Sequence, residues 1–338
     1  MLKKLKNIMP GLLLSACVAI VAMFLSSLIP GDIIGATVIA LLVGMALNPI
    51  LNKYEKFNTG VNYAGKIILR IGIVLMGVNL NFSEVLNVGK YSLFVMFFTM
   101  ATAFGAGNLI GKLFGMNWKL TNLLSVSTAI CGGSAVAAVA PVIKAKDEDV
   151  AYAISSTFIF DVLTVVAIPW IGIALGMSSM GYGLWVGTAV NDTSSVVAAG
   201  YAFSELAGNT AVIVKLTRTL FIIPYVLIFS IINERIEAKT ENSHGRASVN
   251  LKKIFPYFII LFLAVVVLRS TGIITDAIAP VLSKTSKFCM IMALSAIGLK
   301  TSFGDVKNIG FKPMILGFIV DTLVVFVSIG VQVVTGRF

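Results

Sequence analysis

Long apolar segments separated by short polar loops run along the whole chain. Each segment holds about 19 residues or more, the length that an α-helix needs to cross a hydrocarbon core of about 30 Å. This pattern predicts an all-α integral membrane protein with about 9–11 transmembrane helices, in which residues 1–338 form a single polytopic membrane domain. The predicted segments are 10–29, 33–51, 64–83, 91–115, 119–143, 150–174, 182–204, 211–232, 254–272, 277–299 and 313–335.

Two of these segments contain a polar break. The first reads Ala129-Ile-Cys-Gly-Gly-Ser-Ala-Val-Ala-Ala-Val-Ala-Pro141, and the second reads Val190-Asn-Asp-Thr-Ser-Ser-Val-Val-Ala-Ala-Gly200. Because lipid offers no hydrogen-bond partner, an interrupted helix is stable in a membrane only where it is buried or lines a wet cavity. Paired breaks therefore indicate a transporter binding site, whereas the plainer interpretation is that small residues permit close helix packing.

The polar residues of the two breaks form the predicted substrate- and ion-binding site. Ser134 and the polar cluster at 191–195 favour N-caps, so each would begin a half-helix whose free N–H groups point into the membrane interior. Asp192 can take a proton or a Na⁺ ion and so couple transport to an ion gradient, or it can simply cap its half-helix. The predicted site comprises Cys131, Gly132, Gly133, Ser134, Asn191, Asp192, Thr193, Ser194 and Ser195.

Other ionisable residues also lie within apolar segments. Asp161 and Asp321 are further candidates for coupling, because charged groups inside a membrane are costly and usually functional. Each could instead pair with a basic residue. Four basic residues near predicted segment ends are expected to extend their charges to the membrane interface. These are Lys66, Arg70, Lys215 and Arg218.

Positive charges are concentrated in loops at one predicted face. The chain has 26 Lys and Arg against 15 Asp and Glu, and the positive-inside rule then predicts a multi-pass protein of the inner (plasma) membrane with a cytoplasmic N-terminus. The loop 233–253 would be a cytoplasmic connector. Lys144 and Lys146 fit this orientation only if 119–143 turns back and 182–204 enters from outside. Two re-entrant hairpins and two full, broken crossings both stay open.

Composition excludes several classes of function. The chain is 58% hydrophobic with a mean hydropathy of +0.97, a profile that no soluble domain has. Its basic residues lie in short loops between spans, so no nucleic-acid partner is expected. Cys17, Cys131 and Cys289 indicate no disulfide framework, and His244 is the only histidine, which excludes a histidine-based metal site. Without a Walker A, HExxH or GxSxG motif, neither an enzyme nor a cofactor is predicted.

A repeated motif predicts inverted topology. The stretch from Gly77 to Gly89 and the stretch from Gly298 to Gly310 share a glycine, a phenylalanine, a valine, an asparagine and a glycine at equal spacing. Glu84 in the first copy is matched by Asp305 in the second. The predicted orientation places the two copies on opposite faces, an arrangement typical of secondary transporters.

The two broken motifs resemble the YeiH-type family of bacterial membrane proteins, whose members are labelled sulfate exporters. The resemblance covers essentially the whole chain. More distantly, the chain resembles the fold of sodium/proton antiporters and bile-acid symporters, in which crossed broken helices form the site. Some relatives carry His-Glu where this chain has Asn191-Asp192, so the resemblance argues against a two-residue proton relay here.

These observations predict an ion-gradient-coupled secondary active transporter that exports a small sulfate- or sulfonate-like anion. Half-helix N-termini at Ser134 and Ser194 would hold the anion, and Asp192 would carry the coupling H⁺ or Na⁺. Because a fixed carboxylate repels a dianion, Asp192 must be neutralised when the anion binds. The alternatives are a monovalent cation/proton antiporter that uses Asp192 and Asp161, and a non-transporting scaffold or sensor. Small residues within 36–47 favour a homodimer contact.

Overall fold

The described part of the chain is mostly helical, and short turns join its helices. The computed structural model describes residues 2–27, 36–51, 53–239, 257–300 and 311–336, and no strand occurs within these ranges. Seven helices there are long and apolar enough to cross a membrane. The protein is therefore an all-α integral membrane protein, as its apolar segments predict. Most of the second copy of the repeat (301–310) and of the connector (240–253) lies outside the described residues.

Four helices precede the first break. They are α1 (Leu2–Ser27), α2 (Ala36–Leu51), α3 (Glu55–Asn79) and α4 (Phe82–Leu113). The first copy of the repeat forms the turn into α4, where Asn81 accepts a hydrogen bond from the Ser83 amide at 2.9 Å and Glu84 accepts one from the Asn81 amide at 3.2 Å. This capping box satisfies amides that a helix start would otherwise leave free. Three of these four helices are long enough to cross a membrane, and we take the shorter α2 as a fourth crossing, so that α4 ends at the face at which α1 begins, here called the N-terminal face.

The first broken segment is a re-entrant hairpin. It consists of α5 (Trp118–Ala129) and α6 (Gly133–Val139), together called hairpin A. Lys119 Nζ, at the start of α5, donates to the carbonyl of Lys144 at 2.9 Å, just beyond α6. Asn117 Nδ2 also donates to Asp149 Oδ1 at 3.2 Å. Both ends of hairpin A therefore lie at the N-terminal face. The loop charges left open a re-entrant hairpin and a full, broken crossing, and the structure has the hairpin.

The second broken segment is a hairpin of opposite orientation. Helix α7 (Asp147–Ala174) has 28 residues, about 42 Å of rise, and carries the chain to the opposite face. There α8 (Ser179–Ala189) and α9 (Thr193–Phe203) form hairpin B. Its two ends are joined by the hydroxyls of Ser179 and Ser204 at 2.9 Å. The two hairpins thus enter the membrane from opposite sides.

Five helices complete the described chain. They are α10 (Glu205–Leu220), α11 (Ile222–Lys239), α12 (Tyr257–Ser270), α13 (Ala279–Lys300) and α14 (Phe311–Val334). Helix α10 begins at Glu205, whereas the predicted apolar segment begins at 211. Its first turn is polar and is capped by Ser204, whose hydroxyl accepts the Ala207 amide at 3.1 Å. A hydropathy profile misses such a helix start. The profile therefore places Lys215 and Arg218 of α10 closer to a segment end than they are.

Small residues join the helices outside the hairpins. Gly44 of α2 faces the backbone of Ser295 and Gly298 in α13, and a side chain at either glycine would collide with the neighbouring helix. Gly11 of α1 meets Gly60 of α3 in the same way. Gly44 belongs to the stretch 36–47 for which a homodimer contact is predicted, and it packs against a helix of the same chain. The homodimer itself stays a prediction.

We predict that the hairpins determine which loops share a side of the membrane. In a cysteine-free background, single cysteines at Lys112 and Lys146 should react with a membrane-impermeant maleimide from the same side. Cysteines at Leu175 and Leu206 should react together from the other side. All four residues are exposed. Labelling of the two members of either pair from opposite sides would indicate full crossings and would contradict the hairpins.

Candidate functional site

The tips of the two hairpins meet near the middle of the membrane. Gly132, at the tip of hairpin A, has φ +67° and ψ −138°, a conformation that residues with a side chain rarely adopt. A Cβ atom at Gly132 would lie 3.6 Å from the amide nitrogen of Asp192 at the tip of hairpin B. Asp161, which bonds that same amide, lies halfway along α7. The two breaks therefore converge at a single place.

Two basic side chains of α10 reach this place and are completely buried. Lys215 Nζ donates to the carbonyls of Ile130 at 2.8 Å and Val190 at 3.1 Å. These carbonyls lie at the C-terminal ends of α5 and α8, where backbone oxygens lack helical partners and carry partial negative charge. Lys215 thus joins the carbonyl ends of both hairpins. It is 0% exposed.

Arg218 repeats this arrangement one turn along α10. Its Nε donates to the carbonyl of Ala129 at 2.7 Å, its Nη1 to that of Val190 at 3.2 Å, and its Nη2 to that of Thr128. Arg218 is also 0% exposed. The expectation that Lys215 and Arg218 extend to the interface is therefore wrong. Arg218 is in the last turn of α10, but one membrane-spanning stretch runs from Glu205 to Ile236, so both residues lie near the middle of that stretch.

Carboxylates occupy the amide end of the second break. Asp161 accepts from the amide of Asn191 at 3.0 Å through Oδ1 and from the amide of Asp192 at 3.2 Å through Oδ2. Asp192 in turn accepts from the amide of Ser194 at 2.8 Å and from the Ser194 hydroxyl. Negative charge at a helix N-terminus is stabilising. The sequence predicts that amides at the N-terminus of this half-helix bind an anion. The amides of Asn191, Asp192 and Ser194 are instead paired with protein carboxylates.

Asp321 of α14 is the third carboxylate at the site and is fully buried. Its Oδ1 accepts from the Thr128 hydroxyl at 2.6 Å and from Asn191 Nδ2 at 2.9 Å. Its Oδ2 has no donor among the described residues, and neither has Oδ1 of Asn191. Asp321 therefore links the two hairpins through one oxygen only.

The predicted site residues are all brought together, but they differ in access. Cys131, Gly132, Asn191 and Ser194 are buried, Gly133, Asp192, Thr193 and Ser195 are half-buried, and Ser134 is exposed. The Ser134 hydroxyl donates to the carbonyl of Cys131 at 3.0 Å and lies 2.8 Å from its Sγ. The accessible surface of the tips is thus formed by hydroxyl groups and the Asp192 carboxylate. Thr128, Lys215 and Arg218 belong to the site although sequence reasoning did not include them.

A second buried polar cluster connects hairpin B to α14. The hydroxyls of Thr188 and Ser328 lie 2.6 Å apart, and Gln332 Nε2 donates to Ser328 Oγ at 3.4 Å. All three side chains are fully buried. Together with Asp321, Ser328 and Gln332 give α14 a polar stripe that continues from the site towards the face where this helix ends.

Comparisons with known proteins agree with a membrane protein. Residues 10–317 match the family described as Conserved hypothetical protein 698. The chain belongs to this family. Three relatives bear the name UPF0324 membrane protein, and they come from Clostridium tetani, Streptococcus pneumoniae and Fusobacterium nucleatum. No solved structure matches the chain.

The family relationship covers the chain from end to end. The relative from Clostridium tetani is 56% identical over 98% of this chain and 99% of its own length. The relative from Streptococcus pneumoniae is 40% identical over 97% of each chain, and that from Fusobacterium nucleatum is 35% identical over 99% of this chain and 100% of its own. The resemblance to YeiH-type membrane proteins agrees with this membership. The relatives' names specify a membrane protein and no substrate.

The first site prediction concerns Gly132. Replacing it with alanine should lower the free energy of unfolding by about 1–3 kcal/mol, because its backbone conformation is strained for any residue with a Cβ. Thermal unfolding of the purified variant in detergent measures this loss. Gly105→Ala is the matched control, since Gly105 is helical and a Cβ atom there would meet no heavy atom within 4 Å. Equal stability of both variants would contradict the strained tip.

The second site prediction compares two Lys→Met substitutions. Lys215→Met removes a buried charge and its bonds to both hairpins, so we expect a loss of at least about 3 kcal/mol in unfolding free energy. Lys287 pairs with Glu205 at 2.9 Å while half-exposed, and such surface pairs contribute about 0–1 kcal/mol. Thermal unfolding in detergent compares the variants. A smaller loss for Lys215→Met than for Lys287→Met would contradict the buried role of Lys215.

Proposed function

We propose that this protein is a secondary active transporter that exports a small anion, sulfate or a sulfonate, with a proton as the coupling ion. One observation carries the proposal. Lys215 and Arg218 place two buried positive charges where the tips of two opposed re-entrant hairpins meet. Irregular backbone and ionisable groups at this depth are typical of a transport site.

The same charges disfavour a monovalent cation/proton antiporter. A transported cation at a broken helix needs free backbone carbonyls as ligands. The carbonyls of Ala129, Ile130 and Val190 instead accept hydrogen bonds from the two basic side chains. A cation that entered here would find these ligands in use and two fixed positive charges beside them. An anion would meet attraction in the same place.

The accessible side of the tips offers an anion its hydrogen bonds. Ser134 is exposed, and Thr193 and Ser195 are half-buried. Their hydroxyls can donate to oxyanion oxygens. Asp192 beside them balances the buried positive charge when no substrate is bound. We propose that its negative charge also prevents the anion from binding too tightly to leave.

Charges at the two faces support outward transport. Lys112, Lys119, Lys144 and Lys146 lie at the N-terminal face, which the positive-inside rule assigns to the cytoplasm. At the opposite face, a cavity of about 920 Å³ is lined by Glu84, Glu205 and Asp276 with Arg269. This acidic lining disfavours anion entry from outside. An inside-negative membrane potential favours the export of net negative charge, by about 2.3 kcal/mol per elementary charge for each 100 mV.

We predict sulfate flux that depends on a pH gradient. Proteoliposomes with purified protein should take up labelled sulfate faster under an imposed pH gradient than without one. Asp192→Asn leaves surplus positive charge at the tips, so bound sulfate should leave slowly, with turnover reduced at least ten-fold (about 1.4 kcal/mol). The half-saturating sulfate concentration should also fall. Glu55→Gln is the control, because Glu55 is exposed at the start of α3, outside both hairpins and the acidic cavity.

The same vesicles distinguish the alternatives. Absence of sulfate and sulfonate flux, together with dye-reported proton movement on addition of Na⁺ or K⁺, would contradict the proposal and favour a cation antiporter. Absence of every flux, with Asp192→Asn indistinguishable from the wild type in each assay, would favour a scaffold or sensor.

A further inference from the structure

Two buried acceptor atoms at the site lack a donor, and they belong to side chains that already touch. Asn191 Nδ2 donates to Asp321 Oδ1 at 2.9 Å. The other oxygen of each side chain, Oδ1 of Asn191 and Oδ2 of Asp321, has no donor among the described residues. Both side chains are fully buried. A buried polar atom without a partner is costly, so two orphaned acceptors on side chains in contact require an explanation.

Asp161 is bonded in the opposite way. Both of its oxygens accept backbone N–H groups, from Asn191 and Asp192, and such donors stabilise the charged carboxylate. Asp192 also accepts donors, from the amide and hydroxyl of Ser194. Asp321 differs from both: its Oδ1 accepts two hydrogen bonds, but its Oδ2 faces no donor among the described residues and is therefore the oxygen that can carry a proton.

The charges of the cluster favour the same assignment. The charged groups that act on Asp321 are Lys215 and Arg218 of α10 and Asp161 of α7. With Lys215, Arg218, Asp161 and Asp192 all ionised, as their hydrogen bonds favour, the cluster has two positive and two negative charges, and it is neutral if Asp321 is neutral. An ionised Asp321 would leave one uncompensated negative charge among buried groups, which is costly.

We propose that Asp321 carries a dissociable proton on Oδ2 and donates it to Oδ1 of Asn191. The acid and the amide then form two parallel hydrogen bonds, one in each direction, and both orphaned acceptors are satisfied. When the proton dissociates to the aqueous phase, Asp321 becomes a carboxylate and the bond to Asn191 Oδ1 is lost. This proton site joins α14 to the tip of hairpin B.

The proton site rests on the proposed transport function for its purpose. With Asp321 neutral, the cluster has no net charge and an anion can approach it. With Asp321 ionised, the cluster has a net negative charge that repels the anion. Proton and anion would therefore cross together, and in export the membrane potential acting on the remaining net negative charge, rather than an inward proton gradient, supplies the driving force. This assigns the coupling proton to Asp321, whereas the sequence favoured Asp192 and gave Asp161 and Asp321 as further candidates.

Two matched substitutions test the proton site. Asp321→Asn supplies an amide N–H in place of the acid O–H, so the variant should keep the wild-type unfolding temperature. Asp161→Asn places an NH₂ group against backbone N–H donors and should lower that temperature. Infrared difference spectra of the full-length protein, recorded between neutral and alkaline pH, should contain the carbonyl band of a protonated carboxylic acid. That band should be lost in Asp321→Asn and retained in Asp192→Asn.

Several results would overturn the proton site. A wild-type spectrum without the acid band, or a band that Asp321→Asn leaves intact, contradicts it. Stabilisation of the wild type but not of Asp321→Asn by Na⁺ would place a cation between the two oxygens instead. Neither the unfolding temperature nor the infrared band depends on sulfate transport, so the test of the proton site stays valid if no sulfate transport is observed. If transport is observed, Asp321→Asn should abolish the dependence of sulfate flux on the pH gradient.

Discussion

The hydrogen-bond demand of broken backbone inside a membrane is the constraint on which this structure depends. A helix interrupted in lipid exposes carbonyls at one end of the break and amides at the other, and neither finds water there. Here Lys215 and Arg218 satisfy the carbonyl ends of both hairpins, whereas Asp161 and Asp192 satisfy the amide end of hairpin B. The protein thus brings buried charges to the membrane interior because its backbone needs them.

This arrangement joins stability and function in one set of residues. The basic side chains stabilise the hairpin ends and at the same time create a positive centre, and the carboxylates that cap α9 also balance that centre. Under the proposed transport function, the groups available to a substrate are those that the broken backbone does not use. They are the hydroxyls on the accessible side of the tips and the second oxygen of Asp321, which no backbone donor among the described residues uses.

Sequence reasoning could predict the membrane segments, the two breaks and the residues at their tips, because these depend on local composition. It could not choose between hairpins and crossings, since that choice depends on contacts such as Lys119 with the Lys144 carbonyl. It also misplaced Lys215 and Arg218. Their partners in hairpin A, Ile130 and Thr128, lie 85 and 90 residues away along the chain, and no local pattern encodes such pairing. The apolar start at 211 made both residues look like interface residues.

The assignment of the carboxylates had the same limit. Asp192 stood out because it lies within a break, and its capping role could be read from the neighbouring serine. Asp161 and Asp321 could be recognised only as costly intramembrane acids. In the structure Asp161 faces backbone amides and Asp321 faces the Asn191 side chain. The packing of α7 and α14 against hairpin B determines this difference, and such packing exists only in the folded chain.

The most direct test of the shared charge cluster is a double-mutant cycle on unfolding free energy with Lys215→Met, Asp161→Asn and the double variant. Each single substitution leaves an uncompensated buried charge, whereas the double variant restores neutrality. We expect the double variant to lose less stability than the sum of the single losses, by about 1 kcal/mol or more. Additive losses within about 0.5 kcal/mol would mean that the two residues act independently and would contradict a common charge cluster at the hairpin tips.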